Sequence, residues 1–176
     1  MSRWVALLRG VNVNGITIRN AELAQLFTDL GFADVRTVLA SGNVCFSTRN
    51  NEINHVELKS RIESSLRERF GYDAWIVLVP HNALDRIIDT FPFAQDTEHH
   101  AYVIFASAQD VSSQLLARVS EGEGTSTEQV AAGEGVVYWR CHKGRSTDTA
   151  FSKYAAKAHF KSTTTTRNIN TLRKLL

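Results

Sequence analysis

Apolar runs of strand length alternate along this chain with apolar stripes that recur every three or four residues, and the order in which they come occurs twice. "RWVALLR" has the continuous apolar character of a buried strand, and "NAELAQLFTDLG" places Leu23, Leu26, Phe27 and Leu30 on one helical face, with Asn20 as N-cap and Gly31 as stop. "DVRTVLA" and "NVCFST" are β-rich runs joined at "SGN", a hairpin signal in which Gly42 can take positive φ. Leu58, Ile62, Leu66 and Phe70 then mark a helix ending at Gly71, and "AWIVLVP" a strand closed by Pro80.

After a short helix capped by Asn82, with Leu84, Ile87, Ile88 and Phe91 on its stripe and "FPF" as its stop, the order begins again. "HHAYVIFAS" reads as a strand, the stretch from Asp110 through Leu115, Leu116 and Val119 as a helix, and "EGEGTS" as a loop. Two short strands flank "GEG", one helix carries Phe151, Tyr154, Ala155 and Ala158, and the threonine run supplies a last strand. The order β-α-β-β-α-β is the ferredoxin-like arrangement. The expected fold is therefore α+β: two ferredoxin-like halves with antiparallel sheets, residues 1–80 and 99–176, joined by a helix and loop over 81–98, with a short C-terminal helix.

With 176 residues, 43% hydrophobic and 22% charged, the chain can bury a core without staples. Its longest apolar stretches, "WVALL" and "WIVLV", fall far short of the ~20 residues that span a bilayer, and no secretory signal opens it, so no membrane partner and a cytoplasmic location are expected. Cys45 and Cys141 stand in no zinc-binding spacing and read as buried small apolar residues. Adjacent in a strand, His99 and His100 point to opposite faces, and neither a metal nor a cofactor is assigned.

Charge is unevenly distributed. Residues 140–176 hold nine Lys/Arg against the single acid Asp148, a net +8, whereas residues 1–139 hold eleven against seventeen, a net −6. That asymmetry points to an anionic partner, nucleic acid or a phosphorylated ligand, or to internal docking of the tail on an acidic body. Lys153, Lys157 and Lys161, four apart, would form a basic stripe beside the apolar face of their helix, joined by Lys143 and Arg145 of "HKGRST".

In a ferredoxin-like half the end of the first strand and the hairpin between the second and third lie at one edge of the sheet. Arg9, Asn12, Asn14 and Gly15 of "LLRGVNVNG" would thus lie near Ser41, Gly42 and Asn43, offering a guanidinium fork, neutral donors and open backbone N–H groups to an anion. The asparagines equally suit satisfaction of turn backbones. In "TTTTRNINTLRKLL", Asn168 or Asn170 can cap a helix through Leu172 and Leu176, with Arg167 beside its free N–H groups. No Walker, dinucleotide or nucleophile-elbow motif is present, and "NVCFST" lacks the aromatic signature of an RNA-recognition motif.

"LLRGVNVNG", "ELAQLFTDLGFADVRTVLASGNVCF", "FPF" and "TTRNINT" together resemble the bacterial domain of unknown function 1697 family over essentially the whole chain. The resemblance implies a two-part α+β fold with ferredoxin-like halves, no established activity, and motif positions at Arg9, Gly10, Asn12, Gly15, Ser41, Gly42, Asn43, Arg167, Asn168, Asn170 and Thr171. Asn14 stands where the pattern has glycine, and Ile169 where it has an aromatic. Three readings of function follow: a binding protein for an anionic ligand, nucleic acid first among them; an enzyme acting on a small phosphorylated or carboxylated metabolite; and a structural or protein-interaction module.

Overall fold

A computed structural model describes residues 1–11, 15–49, 54–71, 73–120 and 128–176, with backbone only at 118–120. Two compact units are formed, one from Met1–Leu84 together with Lys174–Leu176, the other from Asp85–Arg173. The last three residues thus belong with the first unit, whereas the sequence pattern puts them in the second half.

In the first unit the order is β1 (Ser2–Arg9), α1 (Asn20–Asp29), β2 (Ala33–Thr37), β3 (Asn43–Thr48), α2 (His55–Phe70) and β4 (Trp75–Pro80). The sheet runs β2-β3-β1-β4 with every pairing antiparallel, the ferredoxin-like topology. β1 is paired on both sides, which accounts for its unbroken apolar run: Val5, Ala6 and Leu7 are fully buried. Alternation sends Ala6, Leu8, Val44, Phe46, Ile76 and Leu78 to the helix-covered face, against Leu23, Leu26 and Phe27 of α1 and Leu58, Ile62 and Leu66 of α2. Phe46 anchors this core, its ring 5.1 Å from that of Phe27 and 4.7 Å from that of Phe32.

One cap differs from expectation. Arg19, not Asn20, has the extended N-cap backbone of α1, and its N–H donates to Glu22 Oε2 at 3.2 Å. The glutamate three positions on decides the start, so Asn20 lies just inside the helix.

The second unit contains the larger part of α3 (Ala83–Asp89), then β5 (His99–Ala106), α4 (Gln109–Ser120), β6 (Glu128–Ala132), β7 (Val136–His142), α5 (Ala150–Ala155), α6 (Ala158–Lys161), β8 (Thr164–Asn168) and α7 (Ile169–Arg173). Its sheet order, β6-β7-β5-β8, repeats the first unit's topology strand for strand. The core gathers Ile104, Leu115, Val137, Trp139, Phe151 and Phe160. Tyr138 fastens the segment before β5: its hydroxyl donates to Ile87 O at 2.8 Å and meets the Thr90 hydroxyl at 2.7 Å. The "EGEGTS" loop lies outside the described residues, as does the side chain of Val119.

Where one helix was expected over Phe151–Ala158 there are two. α5 ends at Ala155 with Ala156 as its C-cap, and Lys157, extended at φ −60° and ψ 150°, is the N-cap of α6. Phe151 and Phe160 are both buried in the same core. Nine residues at about 100° each would put them on opposite sides of an uninterrupted helix, so the break is what lets both rings point inward. Leu176, expected on the last helical turn, lies beyond α7 and is 45% exposed.

Candidate functional site

β1 ends at Arg9, opposite Trp75, and Gly10 at φ 74° turns the chain away. Leu7 pairs with Asn43 across the β1–β3 ladder, and Leu8 N–H donates to Gly42 O at 2.8 Å. Arg9, Ser41, Gly42 and Asn43 therefore share one end of the first unit's sheet. Asn43 is fully buried, and its Nδ2 donates to Val38 O and Ser41 Oγ, both at 2.8 Å. It closes the turn, the role in which asparagine mimics backbone. Ser41 is exposed and Arg9 half-buried, and burial lowers the pKa of the Arg9 guanidinium. Gly15, at φ 81°, is exposed; Asn12 and Asn14 lie outside the described residues.

In the second unit β8 lines up beside β5, with Arg167 opposite Val103. Arg167 is only 7% exposed, and its Nη1 donates to Thr165 Oγ1 at 2.8 Å and Thr166 O at 2.9 Å. Asn168 Oδ1 accepts from Asn170 N–H at 2.9 Å at the start of α7, while Asn170 Oδ1 accepts from Arg173 at 2.7 Å. Thr171 is half-buried on the same helix. The hydroxyls of Thr163 and Thr164 donate to His159 O at 2.7 Å and Phe160 O at 2.8 Å. Much of the polarity of this segment is thus spent within it. At five residues, α7 is also too short to carry an anion site at its N-terminus.

Because of the helix break, Lys153, Lys157 and Lys161 do not form the continuous helical stripe expected of them. They are nonetheless exposed, as are Lys143 and Arg145. Asp148 lies 3.4 Å from both Arg145 and Lys153, and Lys157 Nζ sits 5.0 Å from the centre of the Tyr154 ring. Arg140 is not part of this exposed group: it donates to Ala94 O at 2.9 Å, Gln129 Oε1 at 3.1 Å and Asp96 Oδ2 at 2.5 Å.

The DUF1697 family, described as protein of unknown function, matches residues 1–138. The chain belongs to that family. This DUF1697 protein is similar along 99% of its length to a solved structure, that of a conserved bacterial protein from Streptococcus pneumoniae, at 25% identity over 96% of that chain and with a TM-score of 0.80. No curated protein matches it. The family match ends before the basic segment, which lies in the remaining residues.

One polar cluster of the DUF1697 chain escaped the sequence reading. Asp96, His99, Arg140 and His142 meet at the start of β5, with His99 Nδ1 2.9 Å from Asp96 Oδ1 and the His99 and His142 rings 5.3 Å apart. The hydrogen bond from His99, with help from Arg140 and two backbone N–H groups, holds the Asp96 carboxyl well below the usual carboxylate range. Its only sequence signal is a histidine at the first position of one strand and another at the last position of its partner, and pairing is what a single sequence does not display. Among the described residues no helix is long and apolar enough to cross a membrane.

Proposed function

We propose that this protein binds a polyanion, nucleic acid first among them, through the exposed basic segment Lys143–Lys161 of the second unit. One observation carries the reading: five exposed Lys and Arg side chains stand in that segment with Asp148 as the only acid. Lys143, Lys157 and Lys161 make no ion pair among the described residues, so their charge is available to phosphates. In the first unit Arg9 and Ser41 share one end of the sheet and are the side chains of matching chemistry. A protein with this role acts where nucleic acid is, which favours a cytoplasmic location.

Electrophoretic shift of an oligonucleotide at varied salt tests it. Neutralising four or five phosphates gives log K against log salt a slope of about −3 to −4.5, and replacing Lys157 and Lys161 together by Ala should make it shallower by about 1.5. Absence of a shift at low salt, or an unchanged slope in the double variant, overturns the reading. A small anionic metabolite is the second reading, favoured by a groove of about 490 Å³ in the first unit lined by Arg3, Trp4, His81 and Asn82. Stabilisation by small anions alone, abolished by Arg3→Ala, would favour it over nucleic acid.

A further inference from the structure

His99 and His142 are direct partners across the β5–β7 ladder. One step outward, Lys143 N–H donates to Glu98 O at 2.9 Å, which makes that pair the hydrogen-bonded one. His99 and His142 therefore occupy a non-hydrogen-bonded pair, the kind whose side chains approach most closely. The rings sit 5.3 Å apart, centre to centre.

Their hydrogen bonds engage Nδ1 of each ring. Asp96 is a carboxylate and accepts from His99 Nδ1 at 2.9 Å; the carbonyl of Lys143 accepts from His142 Nδ1 at 2.9 Å. Arg140 Nη2 lies 2.9 Å from His99 Nδ1 and donates to Asp96 Oδ2 at 2.5 Å. A neutral imidazole that donates from Nδ1 in this way presents the lone pair of Nε2, and neither Nε2 has a hydrogen-bond partner among the described residues. A carboxylate behind Nδ1 is also what orients a metal-binding histidine and raises its basicity. Two imidazoles on a tetrahedral ion, with metal–nitrogen bonds of about 2.0–2.1 Å, have ring centres roughly 5 Å apart. The observed separation fits that requirement.

We propose that His99 and His142 form an open site for a divalent transition-metal ion of the zinc, nickel or copper type, with Asp96 as the residue that positions His99. Imidazole ligands select these ions over magnesium and calcium. Among the described residues no cluster of three or more His, Cys, Asp or Glu can hold a metal, so the chain supplies two ligands and water or an exogenous group supplies the rest. Affinity is accordingly micromolar rather than nanomolar. Arg140 does not oppose the ion, because Asp96 compensates its charge. The site stands independently of the polyanion reading.

The test is calorimetric titration of the untagged full-length chain with Ni²⁺ or Zn²⁺. The expected result is saturable binding of one ion per chain, weakened about tenfold or more in His99→Ala and in His142→Ala. His100→Ala is the control: alternation puts His100 on the other face, beside Tyr102, and its binding should match the parent. Asp96→Asn leaves both ligands in place yet should weaken binding by about tenfold or more. Addition of Cu²⁺ should broaden the His99 and His142 ring resonances together and before those of other histidines. Binding that does not saturate, that survives either histidine variant, or that falls equally in His100→Ala overturns the proposal. Should Asp96→Asn fail to fold, the two histidine variants and the resonance broadening decide.

Discussion

Gly42 and Arg167 show what individual residues disclose in sequence and what they withhold. Gly42 was legible as a turn glycine, and it sits at φ 72°, where a Cβ would lie 2.8 Å from the Cβ of Leu8. Positive φ and close strand approach both require glycine there. Arg167 was legible only as a cation among polar neighbours. In a run of threonines no apolar alternation marks the inward face, so nothing announced that Thr165 and Arg167 would both be buried. Asp96 was equally hidden, because its guanidinium partner Arg140 lies 44 positions away. Its carboxyl, held below the ordinary value of 3.8 by His99 and Arg140, is deprotonated in the folded chain at pH values where the unfolded chain binds a proton. The stability this contributes is fully present above about pH 4 and is lost as the pH falls further. Asp96→Asn should therefore flatten the acid side of a stability–pH curve measured by thermal melting, while lowering the melting temperature at pH 7. Parallel acid limbs for variant and parent would refute this account.

Most elements were legible because each carries one period cleanly, four-residue stripes in α1 and α2 and short apolar runs in β1 and β4. The interruption between α5 and α6 was not, since Phe151, Tyr154, Ala155 and Ala158 satisfy a helical spacing that Phe160 contradicts only once the location of the core is known. α5 depends on its own start. Thr149, buried, accepts from Ser152 N–H at 3.0 Å, and the buried Glu128 carboxylate accepts from Phe151 N–H at 3.2 Å. Thr149→Ala removes the first of these acceptors and should cost about 1 kcal/mol in urea unfolding, with Thr149→Ser close to the parent. Equal losses in the two variants would assign the effect to the methyl group instead. The same start holds Lys153 and Tyr154 in place, so the basic segment depends on a cap that its own charges do not supply.

The chain leaves the first unit at Leu84 and comes back to it at Lys174, which makes the first unit discontinuous in sequence. Three residues complete it. Arg36 donates to Lys174 O at 3.0 Å and Leu175 O at 3.1 Å, His81 Nε2 lies 3.0 Å from the same Leu175 carbonyl, and the Cys45 thiol donates to it at 3.5 Å. Leu175 itself is fully buried. The sequence pattern suggested a helix through Leu172 and Leu176, because a single leucine separated from its core by the whole second unit leaves no periodic trace. Leu175→Ala should destabilise the full-length chain by about 2–5 kcal/mol, the usual cost of emptying a buried leucine site. The basic segment lies in the other unit, so the variant should keep the parent's salt slope for oligonucleotide binding at temperatures where it is folded. A chain whose stability ignored the loss of Leu175 would not be closed by its own C-terminal residues. A changed salt slope in the folded variant would mean that polyanion contacts reach the first unit, and Arg9 and Ser41 would then be the side chains to replace next.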